Sequence, residues 1–264
     1  MKERTLSKLM GLAINDYGMI DDGDNIIVGI SGGADSIALL MLLLERLKRI
    51  PIHYYIYPVI VDIFGGNNEK FNDYTERLKE FINNYTDIGL AIIKTDTYEH
   101  LLSETSGYRN GDTCFLCSKK KRNLLFEYAF KKEYNKVALG HHKDDIVETA
   151  LMNMFYMREI STMIPRLSVF DGKIDLIRPL AYIEKKSIEK YIAEINAPVF
   201  KEYCPSNYLH RELRREKVKE TVKTLSKEYK NLKNNIFASL RNPKNDYLLS
   251  VHYQPNASGI HKRP

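Results

Sequence analysis

The chain has 264 residues, 44% of them hydrophobic and 28% charged, proportions that exclude a disordered or collagen-like protein. Its length suits one large α/β domain, or one domain with an appendage. Forty Lys and Arg against 34 Asp and Glu leave +6, and residues 201–233 hold ten basic and five acidic residues, nearly the whole surplus.

The first predicted element is a buried strand, Ile26 to Ile30, between the turn-like Asp21-Asp22-Gly23-Asp24 and Ser31-Gly32-Gly33. A helix follows from about Asp35 to Arg49 and stops at Pro51. Tyr57 to Val61 is the second strand, with Pro58 near its start. Phe71, Tyr74, Leu78, Phe81, Ile82 and Tyr85 recur at helical spacing. Gly89 to Lys94 is a third strand, followed by a polar stretch that carries the first two cysteines. Leu124 to Tyr134 reads as helix, Lys136 to Gly140 as a fourth strand and Asp144 to Tyr156 as helix. Arg166 to Ile177, turning at Asp171-Gly172, predicts an edge hairpin, and Glu184 to Ile195 another helix. Strands alternating with helices imply βαβ units and a parallel sheet with helices on both faces. After Pro198 two basic helices are expected, over 206–226 and 228–240, so the chain divides into residues 1–200 and a basic helical region, 201–264.

The longest apolar run, Ile37 to Leu44, is too short to span a membrane. Met1-Lys2-Glu3-Arg4 has no apolar segment of a signal peptide behind it. Three cysteines are too few, and odd in number, for a secreted disulfide scaffold, which points to a reducing cytoplasm.

Ser31-Gly32-Gly33-Ala34-Asp35-Ser36 lies between a buried strand and a helix. The first turn of a helix leaves N–H groups unpaired, glycines allow close approach, and serines add donors, so the loop is an anion cradle. It lacks the Gly-Lys-Ser/Thr ending of a Walker A loop. A carboxylate there, Asp35, makes sense if it holds Mg²⁺ against phosphates. The loop resembles the SGGxDS PP-loop of the N-type ATP pyrophosphatases, with their adenine nucleotide alpha-hydrolase-like fold. These enzymes split ATP between its α and β phosphates and adenylate a substrate.

Cys114-Phe115-Leu116-Cys117 is a CxxC pair, and Cys204 lies far downstream. Three thiolates leave a zinc tetrahedron one ligand short, but can hold a [4Fe–4S] cluster with one open iron. On chemistry alone a cluster, zinc and an incidental pair stand level. Gly140-His141-His142-Lys143-Asp144-Asp145 follows the fourth strand, at the carboxyl end of the sheet where open α/β folds bind ligands. Asp144 can cap a helix, but a second carboxylate suggests Mg²⁺ or nucleotide.

In this order, with Arg178-Pro179-Leu180 before the last cysteine, these motifs resemble the TtcA/TtuA family of tRNA thiolation enzymes. The resemblance covers roughly residues 20–240. Leu139–Phe155, with Asn153-Met154-Phe155-Tyr156, is closest to its 2-thiocytidine branch. The resemblance implies cluster ligands Cys114, Cys117 and Cys204, and catalytic residues Asp35, Lys121 and Asp145. It implies a nucleotide site of Gly29, Ile30, Ser31, Gly32, Gly33 and Ser36, with Val61 and Asp62 on the adenine side and Gly140, His141 and Asp144 opposite. The expected reaction adenylates the C2 oxygen of a tRNA pyrimidine, cytidine 32 in the closest branch, and replaces it with sulfur. The expected cofactors are the [4Fe–4S] cluster, ATP and Mg²⁺. The expected partners are tRNA and a sulfur donor, either inorganic sulfide or a cysteine desulfurase or carrier, and the expected assembly is a homodimer. The basic helices, with Arg211, Arg214 and Arg215 on one face, are expected to hold tRNA phosphates, a solvated helix face being the bland alternative.

Overall fold

The computed structural model describes residues 3–96, 112–200 and 213–248, with side chains throughout except at 3–4, 112–115, 213 and 245. A six-stranded sheet runs in the order β3-β2-β1-β4-β6-β5. Its strands are β1 (Asn25–Ile30), β2 (Tyr55–Asp62), β3 (Ala91–Lys94), β4 (Lys136–Ala138), β5 (Arg166–Val169) and β6 (Ile174–Ile177). Neighbours from β3 to β6 pair in parallel, and only β5 runs antiparallel. The chain leaves β1 towards β2 on one side and returns to β4 on the other. That reversal opens a crevice at the carboxyl ends of β1 and β4.

Helices α1 (Glu3–Asp16), α2 (Ala34–Leu47), α3 (Glu69–Asn83), α4 (Asp112–Lys131), α5 (Lys143–Met152), α6 (Lys185–Glu194), α7 (Leu213–Glu228) and α8 (Leu232–Arg241) cover the sheet and each other. The unbroken apolar run of α2 is explained by its surroundings. It packs on β1, α1 and α6, so every residue from Ser36 to Leu44 is buried. β1 is buried on both faces, which is why it reads as a continuous apolar run. Pro58 pairs with Val28 on one side, and β3 begins only opposite Val59, so the missing N–H lies where β2 is still an edge. Among the described residues no helix is long and apolar enough to cross a membrane.

The structure departs from the predicted elements in three places. α1 was not anticipated: Leu6, Met10, Ala13 and Ile14 are buried along one face, but the pattern lacks a clear capping signal. The CxxC pair falls inside α4, not in a polar loop before it. The Lys119-Lys120-Lys121-Arg122 run has good helix propensity but no apolar stripe to reveal the helix. The helix expected to end at Tyr156 changes to a π-helical turn at Asn153–Met157. The expected edge hairpin is present, with β5 as the edge strand and β6, inside it, buried throughout. Of the helix expected over 206–226, residues 206–212 lie outside the described residues.

A buried ionic cluster anchors the opposite end of the sheet. Lys136 Nζ lies 2.9 Å from Asp175 and 3.7 Å from Asp24, all three side chains being buried. Asn135 Nδ2 donates to Asp24 at 2.6 Å, and Arg166 reaches Asp175 at 2.8 Å. Lys136→Met removes the shared cation and leaves two carboxylates in a low-dielectric interior. It is expected to lower stability by about 3–5 kcal/mol, read from urea unfolding. A loss below about 1 kcal/mol would contradict this role.

Candidate active site

The Ser31–Ser36 loop turns off β1 through Gly32, whose φ of +84° suits glycine. Ser36 Oγ donates to the Gly33 carbonyl at 2.9 Å and accepts from the Ser31 amide at 3.1 Å. Gly33 N donates to Ser31 Oγ at 3.3 Å. The two hydroxyls therefore brace the loop. α2 starts at Gly33 with no side-chain cap, so its first N–H groups are offered to an anion. Phe200 N donates to the Gly32 carbonyl at 2.9 Å, and the Phe200 ring packs on Tyr74 at 5.0 Å, closing the outer side of the loop.

Gly140 brings the second motif against this loop. A Cβ built there meets the Asp35 carbonyl carbon at 2.8 Å and the Ser36 amide nitrogen at 2.9 Å. Both are backbone atoms and cannot swing aside. Gly140→Ala is expected to push the two loops apart, weakening ATP binding at least about tenfold and costing about 1–3 kcal/mol of stability. Gly29 is the control. Although Gly29 is in the expected nucleotide site, its Cβ would point away from the loop, at the ends of the Leu125 and Leu139 side chains, with the Ala138 carbonyl at 3.7 Å, so Gly29→Ala is expected to cost stability and to weaken ATP binding less than Gly140→Ala. Titration of folded protein with ATP distinguishes the two.

Asp145 accepts from the His142 amide at 3.0 Å, and His142 Nε2 lies 3.3 Å from Asp145 and 3.7 Å from Asp35. His142 is buried and thus joins the carboxylates of the two motifs. Its Nδ1 has no hydrogen-bond partner. His141, the histidine expected in the site, accepts at Nδ1 from Arg178 Nε at 3.3 Å and lies within electrostatic reach of Asp145 and Arg215. Burial, helped by the Arg178 guanidinium, holds His141 down to about 4, so the ring is neutral at pH 7. The unfolded chain takes up that proton near pH 6.5, so stability from this group is intact above pH 6.5 and falls as the pH drops towards 4. His141→Asn is expected to flatten the pH dependence of urea unfolding in that window, by up to about 1.4 kcal/mol per pH unit.

Three cations from later in the chain reach these carboxylates. Lys185 Nζ, at the start of α6, donates to both Asp35 oxygens at 2.7 Å, and its backbone N–H donates to Asp144 at 2.8 Å. Arg215 on α7 lies 2.8 Å from Asp145 and 3.5 Å from Glu148. Lys233 on α8 pairs with Asp144. Burial would raise the Asp144 carboxyl, but the Lys233 ammonium and the Lys185 amide hold it below the ordinary carboxylate range. Burial pushes Glu148 up despite Lys219 and Arg215. Arg215 therefore points into the site, not outwards on a shared face with Arg214. Arg211 lies outside the described residues.

The remaining expected residues divide. Ile30 is buried behind the loop, as is Val61 on β2. Asp62 is buried and accepts from the Phe64 amide at 2.9 Å, capping the turn out of β2. Lys121 and Cys117 are half-buried on α4. Cys114 lies one helical turn before Cys117. Its side chain and all of Cys204 lie outside the described residues. His142, Lys185, Arg215 and Lys233 were not anticipated. Only His142 carried a signal, as the second half of an adjacent histidine pair.

Among the described residues no three His, Cys, Asp or Glu side chains form a ready metal cage. Mg²⁺ is commonly held by one or two carboxylates together with substrate phosphates. Asp35, in the phosphate loop, and Asp145, linked to it through His142 Nε2, could supply them. Residues 2–223 match the PP-loop domain family. The chain is 37% identical over 239 residues to the tRNA-cytidine(32) 2-sulfurtransferase of Polynucleobacter necessarius subsp. necessarius (strain STIR1), covering 90% of this chain and 76% of that protein. It is 36% identical to the protein of that name from Bdellovibrio bacteriovorus, covering 90% and 87%. The chain belongs to the PP-loop family, in its TtcA branch. The fold of this TtcA-family chain is similar to that of the U34-tRNA thiolase NcsA from Methanococcus maripaludis, with a TM-score of 0.73 and 18% identity over 94% of this chain and 81% of that one.

Proposed function

We propose that this chain is an ATP-dependent tRNA sulfurtransferase that converts a cytidine, position 32 by similarity to its relatives, to 2-thiocytidine. The observation that carries the reading is the contact between the phosphate loop and the Gly140–Asp145 segment. No Cβ fits between them, in a chain 36–37% identical to tRNA-cytidine(32) 2-sulfurtransferases. ATP lies with its phosphates on the uncapped start of α2 and its adenine towards β2. Asp35 and Asp145 hold Mg²⁺. The C2 oxygen of the base attacks the α-phosphorus, an O–P bond forms, and the bond to pyrophosphate breaks. Loop amides and Lys121 stabilise the departing charge. Sulfur at the sulfide level then attacks C2, a C–S bond forms, and AMP leaves with the oxygen. No net oxidation occurs.

Cys114, Cys117 and Cys204 would hold the [4Fe–4S] cluster, which would supply Lewis-acid chemistry for sulfide. Two of these cysteines stand a turn apart on one helix. The third follows Phe200, anchored to the loop, by a tether of at most about 14 Å. Sulfide itself, or a cysteine desulfurase or carrier with a reductant, supplies the sulfur. The basic region after residue 200 holds the tRNA backbone, and the enzyme works as a cytoplasmic homodimer.

The test is pyrophosphate release by anaerobically prepared protein with MgATP. Release that requires tRNA supports the reading. Release with a small-molecule acceptor and none with tRNA would replace it by another adenylating activity.

A further inference from the structure

We propose that the π-helical turn after α5 is a stacking platform for unpaired RNA bases beside the target pyrimidine. The proposal rests on the tRNA reading above and deepens it.

Phe155 is 55% exposed and Tyr156 40%, with Met154, Met157 and Ile160 exposed around them. So many large apolar side chains in seven residues form a patch, not scattered surface. The segment is also held in place. Asn153 Nδ2 donates to the Ser161 carbonyl at 3.0 Å, and its own carbonyl accepts from the Arg158 and Glu159 amides. Thr162 Oγ1 donates to the Ile146 carbonyl at 2.6 Å, tying the following loop to α5. The exposure therefore belongs to a built surface. π-turns inserted in helices recur at functional sites.

Charge selects the occupant. The Arg214 guanidinium lies 5.4 Å from the centre of the Tyr156 ring, and Arg158 follows the turn directly. Within α7, Arg214, Arg215, Lys217, Lys219, Lys223 and Lys227 outnumber Glu216, Glu220 and Glu228. Aromatic residues, methionine and arginine also serve protein–protein interfaces, but lysine is depleted there, and the adjoining α7 carries Lys217, Lys219, Lys223 and Lys227. Aromatic faces flanked by that much basic charge match unpaired bases with their phosphates close by. The position agrees. Arg214 touches Tyr156 while its neighbour Arg215 touches Asp145, so platform and site lie on the order of 20 Å apart at most. A base that must leave its stack to react leaves neighbours that need a surface.

The experiment measures tRNA affinity of native protein and a Phe155→Ala/Tyr156→Ala variant across a salt series, with ATP affinity and sedimentation alongside. Stacking contributes about 1–3 kcal/mol per base, so binding is expected to weaken roughly tenfold to hundredfold. The slope against salt, ATP affinity and oligomeric state should stay unchanged, and Tyr156→Phe should bind as native. Unchanged tRNA affinity in the double variant overturns the proposal. So does a change of oligomeric state with tRNA affinity retained, which assigns the face to a second copy. Should the double variant not fold, crosslinking of native protein to 5-bromouridine-substituted anticodon stem-loop RNA decides the question. Crosslinks in the 154–157 peptide support the platform, and crosslinks only elsewhere overturn it. Native protein that binds no tRNA defeats the functional reading itself, and is thereby distinguished.

Discussion

Asp145→Ala is expected to reduce tRNA-dependent pyrophosphate release at least about 10²–10³-fold, the usual effect of losing one electrostatic contact to a transition state. Asp145 meets Arg215 at 2.8 Å and His142 at 3.3 Å. It sits beside the backbone of the phosphate loop by virtue of Gly140. Its loss would remove one of the two carboxylates proposed to hold Mg²⁺ and leave Arg215 without its partner there. Asp35→Ala is expected to fall as far. It also strands Lys185, which now donates to both Asp35 oxygens at 2.7 Å. Near-native release by either variant would remove that carboxylate from the reaction. Asp35→Asn and Asp145→Asn keep the shape of the site and show that charge, not folding, is the cause.

The second large effect separates two half-reactions. Cys114→Ala, Cys117→Ala and Cys204→Ala are each expected to abolish thionucleoside formation while ATP affinity stays within about twofold. The phosphate loop is built by β1, α2 and the Gly140 segment, whereas the cysteines stand on α4 and beyond Phe200. A folded variant that lost ATP binding would show that cluster and nucleotide share ligands. The ultraviolet–visible spectrum of each variant reports the cluster directly.

The meeting of the two glycine motifs at the sheet edge was legible in the sequence because each motif follows a buried strand. A strand read as Ile26–Ile30 leaves Ser31–Gly33 only one place to go, the carboxyl edge of the sheet. The same holds for Gly140 after β4. The cations that complete the site were not legible. Lys185, Arg215 and Lys233 are ordinary letters on amphipathic helices, and only the docking of α7 and α8 on α5 aims two of them inwards. The histidine pair was readable, but not which ring faced the carboxylates. His142 does, whereas His141 turns to Arg178. Asp62, expected on the adenine side, accepts from the Phe64 amide, a turn contact that no motif announces.

The central claim is tested most directly by nucleoside analysis of unmodified tRNA incubated anaerobically with this protein, MgATP and sulfide. The expected products are 2-thiocytidine, one AMP and one pyrophosphate for each sulfur inserted, and none of these with Asp145→Ala. Thiolated uridine in place of cytidine, or no thionucleoside with either sulfide or a cysteine desulfurase and reductant as donor, would contradict this reading.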